Sequence, residues 1–256
     1  MSCATAVLSL GTALLTAVPV VAAPAAWEQI VEGLEVRTHV GGDGTVGPAW
    51  AVLVRIDPRS HRLRVLASPT GEASLRAAAV ARSQGAWAVV NGGFFDSGGR
   101  SIGWLVSDGR ELSPVRTEGW GVFYVRDDGT PAILHASRAR GVLARQAVQA
   151  GPRLVVGGRV NRLEPQLARR SFVGIDDTGR IVLGCTGPFP VGAVALATFL
   201  ATPTTRGGLG LVHALNLDGG SSAQMFVRRP GGEDISLPGG VAVPNVLAVF
   251  PAEPEG

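Results

Sequence analysis

Lysine is absent from this 256-residue chain, and all 23 basic residues are arginine. That excludes Schiff-base lysine chemistry, Ser-Lys dyads and Walker-type phosphate binding. Cysteine is nearly absent too, with only Cys3 and Cys185. Cys3 falls in a candidate leader, so Cys185 is expected to be the sole cysteine of the mature protein. An intramolecular disulfide and a cysteine zinc cage are then both excluded. Cys185 follows Val182-Leu183-Gly184 and fits a small buried apolar residue. Charge is sparse, at 17% with a net value of +3, and aromatics make up 5%. Arginine clusters such as Arg228-Arg229 are short, with few aromatics between them, so no nucleic-acid partner is expected. His135 and His213 lie within apolar runs, and no cluster has metal-ligand spacing, so neither metal nor cofactor is expected.

Long apolar runs are lacking as well, except at the start. Residues 1–23 carry no charge, and Val7, Leu8, Leu10, Leu14, Leu15, Val18, Val20 and Val21 form an apolar stretch. Val21 and Ala23 place small residues before Pro24, and Ala23 and Ala25 serve equally one step later. This is the form of a secretory signal peptide, although no arginine precedes the apolar run. The expectation is a leader over 1–23 and an exported domain over 24–256, secreted or periplasmic, without stable membrane insertion once the leader is cleaved; a retained N-terminal anchor is the alternative, for which the stretch is barely long enough.

The remainder, roughly 230 residues, suits one domain. Short strands separated by turn residues dominate it. Leu53 to Asp57 and Leu63 to Leu66 flank Pro58-Arg59-Ser60; Val122 to Arg126 and Ala132 to His135 flank Asp127 to Thr130. Val173 to Asp176 and Ile181 to Leu183 flank Asp177-Thr178-Gly179, and Asp108-Gly109 offers a further turn. Each pattern predicts a β-hairpin. Two helices are expected: Leu75 to Gln84, with Ser74 as N-cap and Gly85 ending it, and Val191 to Leu200, apolar almost all round. Strands predominate without regular β-α alternation. The expected class is α+β, with a mixed, mainly antiparallel sheet and a few packed helices in a single domain.

Three glycine-rich clusters stand out. Gly42-Asp43-Gly44-Thr45-Val46-Gly47 satisfies GxGxxG, but Pro48 and a strand follow instead of a helix, so it reads as a loop. Asn91-Gly92-Gly93-Phe94-Phe95-Asp96 follows the apolar run Ala86 to Val90. Its paired glycines can expose N–H groups, and Phe94 or Phe95 can wall a sugar ring; a plain strand-to-loop turn with core phenylalanines fits equally. Asn216-Leu217-Asp218-Gly219-Gly220-Ser221-Ser222 combines a carboxylate, amides and two hydroxyls. It is not a nucleophile elbow, because Ala223 replaces the closing glycine and no histidine follows. A carboxylate site is the better chemical reading, though an Asp capping a turn fits the same residues.

Asn-Gly-Gly-Phe-Phe at 91–95, Gly-Pro at 151–152, Arg170-Ser171 and Asn-Leu-Asp-Gly-Gly-Ser-Ser at 216–222 occur in an order that resembles the phosphodiester glycosidase family. The closing Val-Pro-Asn-Val-Leu-Ala-Val-Phe at 243–250 is similar to that family's last strand, so the likeness runs from Trp50 to Phe250. Two positions depart from the pattern. Ser171 stands where threonine is usual, and Ser221 where a third glycine is frequent. The resemblance implies a hydrolase that releases a sugar, such as N-acetylglucosamine, from a sugar-1-phosphodiester in envelope or extracellular glycans. The partner it implies is a phosphorylated carbohydrate.

Such a reaction expels an acidic phosphate monoester, so little protonation of the leaving group is needed. The site instead needs donors for phosphate and one carboxylate at the anomeric centre. Asp218 is the first candidate carboxylate and Asp96 the second. Arg170 is the candidate phosphate fork, although beside Arg169 it also fits an ordinary surface arginine. Gly92, Gly93, Gly219 and Gly220 are candidate amide donors, with Asn91, Phe94, Ser171, Asn216, Ser221 and Ser222 completing the expected binding set. These strand ends are expected to converge on one site. The competing class is a non-catalytic module that binds cell-wall or exopolysaccharide. A metal-dependent phosphodiesterase would need ligand clusters that are not found.

Overall fold

The computed structural model describes residues 26–41 and 50–252. The expected leader, its cleavage sites and the Gly42–Gly47 loop lie outside the described residues. Every strand ladder among the described residues is antiparallel, and two α-helices accompany them. Some neighbours are joined by short turns and others lie far apart in the chain, both of which antiparallel pairing allows.

The largest sheet has eight strands. In spatial order they are Glu28–Val31, Leu34–Val40, Trp50–Ile56, Ile181–Thr186, Ser171–Ile175, His213–Asn216, Arg153–Val156 and Arg159–Val160. A five-stranded sheet runs Ile235–Leu237, Met225–Val227, Ala88–Asn91, Asn245–Pro251, His61–Ala67. Another runs Arg110–Ser113, Leu105–Ser107, Gln146–Ala150, Gly121–Val125, Pro131–His135. Alternating residues of all three meet in one core, including Val54, Val173 and Leu215, Val90 and Leu247, and Phe123 and Val148. Each such side chain contributes about 1.5–3 kcal/mol when fully buried. Cys185 is a member of this core, and burial pushes its thiol up to about 11, which leaves it an unreactive apolar filler.

The Asp-Gly and Asp-Thr-Gly turns close hairpins as expected: Gly121–Val125 pairs with Pro131–His135, Ser171–Ile175 with Ile181–Thr186, and Leu105–Ser107 with Arg110–Ser113. The expected hairpin across Pro58-Arg59-Ser60 does not form. Trp50–Ile56 pairs with Leu34–Val40 and Ile181–Thr186, whereas His61–Ala67 pairs with Asn245–Pro251 in another sheet. The turn is local, but both strands find better partners far along the chain.

Helix α1 spans Ala77–Gln84 and ends on Gly85 in the left-handed region, at φ 71°. It starts two residues later than expected because Leu75 bridges to Val243, and the Ser74 hydroxyl bonds Ser68 rather than capping. Gln224 Oε1 accepts from Ala77 N at 2.8 Å and takes over part of the cap. Helix α2 spans Ala193–Ala201, preceded by a two-residue strand, Val191–Gly192, paired with Leu167–Ala168. Leu196, Phe199 and Leu200 bury against the outer face of the large sheet, but Val194 is exposed, so α2 is buried on one side only. No helix among the described residues is long and apolar enough to cross a membrane.

Candidate functional site

Asn91 ends the central strand of its sheet, Ser171 begins a central strand of the largest sheet, and Asp218 follows the end of its neighbour His213–Asn216. Antiparallel pairing sets the Ser171 and Asn216 ends side by side, and packing of the two sheets brings Asn91 to the same rim. Asn91 is fully buried and uses both ends of its amide. Its Nδ2 donates to the Asp218 carbonyl at 2.7 Å, while its Oδ1 accepts from the Ser171 hydroxyl at 2.7 Å and from Gln224 N at 3.1 Å. Asp218 N donates to the Gly92 carbonyl at 3.0 Å. The Asp218 backbone is thus held from both sides, which fixes where its side chain starts.

The Asp218 carboxylate is half-buried, and Oδ1 accepts from Gly219 N at 2.9 Å. Burial raises its pKa above the usual carboxylate range, against the pull of the Ser222 hydroxyl and the Gly219 N–H. A carboxyl so shifted at a partly open rim is suited to proton transfer. Asp96 differs. It is exposed, and its Oδ1 accepts from Arg100 N at 2.9 Å within its own turn. That makes it a turn-forming residue outside the network, because the chain turns away after Phe95.

Arg170 lies next to Ser171, yet its side chain goes the other way, since successive residues of a strand face opposite sides. It is 3% exposed. Nε donates to the Val191 carbonyl at 3.2 Å, Nη2 to the Gln166 carbonyl at 2.6 Å, and Nη1 to Asn216 Oδ1 at 3.2 Å. The Nε/Nη2 edge that would fork onto a phosphate is occupied by backbone carbonyls. Asn216 in turn donates to the Gly151 and Leu217 carbonyls. Arg170 therefore braces the segment that leads into Asp218, from the α2 side of the sheet. Convergence is partial: Asn91, Ser171 and the Asp218 backbone form one network, and Arg170 and Asn216 form a second behind it.

The four glycines expected to offer amides to a ligand use them internally. Gly92 N donates to Asn245 O, Gly93 N to Asn245 Oδ1, Gly219 N to Asp218 Oδ1 and Gly220 N to Arg169 O, all within 3.0 Å. Their small size serves close backbone packing. A Cβ on Gly93 would meet the Gln149 carbonyl at 2.5 Å, and one on Gly219 the Arg169 carbonyl at 2.7 Å. Ser221 is exposed, and its carbonyl accepts from Gly240 and Val241. Phe94 and Phe95 also part company. Phe95 packs in the α1 core, whereas half-buried Phe94 meets the Trp120 ring edge-on at 4.9 Å. Phe94 is also packed against the main core, so the ring is held on two sides.

Three buried amides were not anticipated. Asn245 bridges Gly93 N and, at 2.8 Å, the Ser101 hydroxyl; Gln224 bridges Ala77 N, Ser222 O and Val241 O; Gln149 bridges Trp104 N, Arg116 N and Arg116 O. Their signal was a polar amide inside an apolar run, as in Val148-Gln149-Ala150 and Pro244-Asn245-Val246. Among the described residues, no group of three or more His, Cys, Asp or Glu side chains is placed to hold a metal ion. Among the described residues, a cavity of about 880 Å³ is lined by none of Asn91, Ser171 or Asp218 and has no carboxylate in its lining.

Residues 84–250 match the sequence profile of a family described as phosphodiester glycosidase. No curated protein matches the chain. Among solved structures, the chain is similar to a hypothetical protein from Synechocystis, with a TM-score of 0.65 and 19% identity, covering 91% of this chain and 64% of that one. It is also similar to the catalytic domain of zebrafish N-acetylglucosamine-1-phosphodiester alpha-N-acetylglucosaminidase, auto-inhibited by its pro-peptide. There the TM-score is 0.64 with 19% identity, covering 88% of this chain and 86% of that one. A protein from Burkholderia pseudomallei aligns with a TM-score of 0.60 and 16% identity, over 83% of this chain and 76% of its own. At these identities the likeness establishes the fold.

Proposed function

Because the chain belongs to the phosphodiester glycosidase family, we propose that it hydrolyses the bond between a sugar and phosphate in a sugar-1-phosphodiester. Asp218 carries this reading. Its backbone is held by the Asn91–Ser171 network, which fixes where its carboxylate starts, and burial raises the pKa of that carboxylate toward the range where a base or acid works. In the proposed step a water oxygen bonds to the anomeric carbon as the bond from that carbon to the phosphate oxygen breaks. The phosphate monoester leaves with the electron pair, and the water's proton passes to the Asp218 carboxylate. Phe94 and Trp120 supply the apolar wall for the ring. The leaving group is acidic already, so the step needs no second, strongly raised carboxylic acid.

Arg170 acts in this account as a positioning residue. It holds Asn216 and the two carbonyls beside it, and so holds the approach to Asp218. The zebrafish relative is named for N-acetylglucosamine-1-phosphodiester, and a substrate of that class in cell-envelope or extracellular glycans is the proposal for this chain. The charge-free start at 1–23 supports export to reach it. Purified protein incubated with N-acetylglucosamine-1-phosphodiesters, with product sugar and phosphate monoester quantified, tests the reading. Stoichiometric release of both supports it. Saturable binding of the glycan without release would instead make the chain a polysaccharide-binding module.

A further inference from the structure

Among the described residues, a groove of about 880 Å³ lies between the end of strand His61–Ala67 with its following loop, the last turn of α1 and the hairpin 105–113. Its lining charge sets it apart. Arg100 and Arg110 line it, and no Asp or Glu does, whereas four smaller cavities each carry two carboxylates. Strand alternation produces this. Arg110 faces the groove, while the next side chain, Glu111, turns away and accepts from Trp104 Nε1 at 2.8 Å. Among the described residues, neither Arg100 nor Arg110 has an ion-pair partner. Ser101 adds a hydroxyl whose proton is free to donate, since its oxygen accepts from Asn245 Nδ2, and Thr70 adds one shared with Ser68, while leucines and prolines add apolar surface. Hydroxyls for sugar oxygens, apolar faces for ring C–H groups and two guanidinium forks for phosphate make a consistent ligand chemistry.

The groove is also tied to the segment that holds Asp218, since Gly92 O accepts from Asp218 N and the chain runs from there into the groove lining. Ile102 N donates to Phe94 O at 2.9 Å, and Phe95 bridges to Ser101, so residues 94–102 form a narrow hairpin. One leg carries Phe94, against Trp120; the other carries Arg100 and Ser101, in the groove. Asn245 spans the two, accepting from Gly93 N and donating to Ser101 Oγ.

We propose that this groove binds the aglycone side of the substrate, as an oligosaccharide segment carrying further phosphate groups. The proposal rests on the reading of the Asp218 site as a phosphodiester glycosidase, and narrows its substrate class to phosphate-bearing glycan chains. The test compares the natural chain with an Arg100→Gln/Arg110→Gln double variant on two diesters of one sugar: a methyl phosphodiester, and the same phosphodiester linked to a phosphorylated trisaccharide. KM for the trisaccharide diester should rise roughly tenfold in the double variant, as loss of two accessible ion pairs implies, with kcat and the methyl diester unchanged. Equal kinetics on both diesters would overturn the proposal. Calorimetry with the phosphorylated trisaccharide alone, on the Asp218→Asn protein, separates the groove from the chemistry. Salt-sensitive binding that disappears in the added double variant supports the groove even if no diester is hydrolysed. Binding that survives the double variant, or equal binding of the unphosphorylated trisaccharide, would refute it.

Discussion

Replacing Arg170 with methionine keeps much of the stem and removes the head that holds three acceptors, the carbonyls of Val191 and Gln166 and Asn216 Oδ1. Hydrogen bonds from a charged donor contribute about 1.5–3 kcal/mol each, and they do not add fully when shared by one group. Opposing this, no carboxylate accompanies the buried charge, so the substitution also relieves a desolvation cost of several kcal/mol. The difference leaves about 2–4 kcal/mol of destabilisation. For a domain of roughly 200 residues that lowers Tm by about 4–16 °C. Thermal unfolding measures this, and kinetics on a phosphodiester and an aryl glycoside of the same sugar locate its functional consequence. A brace under Asp218 serves both substrates, so kcat should fall by a similar factor on each, in Arg170→Lys as well as Arg170→Met. Unchanged stability with loss confined to the phosphodiester would refute the argument and return Arg170 to the phosphate.

Gly93→Ala would press a methyl against the Gln149 carbonyl at 2.5 Å and Val148 Cγ2 at 3.0 Å. It should cost about 1–3 kcal/mol, read from urea unfolding; a neutral effect would mean that the hairpin base yields freely. Burial raises the folded-state pKa of Asp218 above its unfolded value, so its stabilising contribution is present below the unfolded pKa and lost as pH rises through the folded one. Asp218→Asn should therefore be more stable than the natural chain at neutral pH, and that advantage should vanish in acid; a destabilised variant at pH 7 would contradict the sign. N-terminal sequencing of exported protein should find processing after Ala23 or Ala25, and an intact Met1 on a soluble cytoplasmic product would remove the export proposal.

Local chemistry was legible in the sequence and long-range choice was not. Asp127-Asp128-Gly129 and Asp177-Thr178-Gly179 fix tight turns by backbone preference alone, and their flanking strands pair with each other. Pro58-Arg59-Ser60 has similar turn chemistry, but the partners of its flanking strands lie at 34–40, 181–186 and 245–251, which no local signal reveals. The same divide runs through the site. That Asn91 and Asp218 end apolar strands could be read directly, whereas the destination of an amide proton could not. The N–H groups of Gly92 and Gly93 go to Asn245, more than 150 residues away. One detail was available and overlooked: adjacent residues at a strand start face opposite sides, so Arg170 and Ser171 could not both enter one cleft.

The central claim is that Asp218 provides the carboxylate at the anomeric centre, and turnover of a sugar-1-phosphodiester by Asp218→Asn tests it most directly. The substitution keeps the shape and leaves the backbone contacts from Asn91 and to Gly92 intact. Substrate binding should persist while kcat falls by about two orders of magnitude or more. Turnover close to that of the natural chain would contradict the account and move the chemistry to another group.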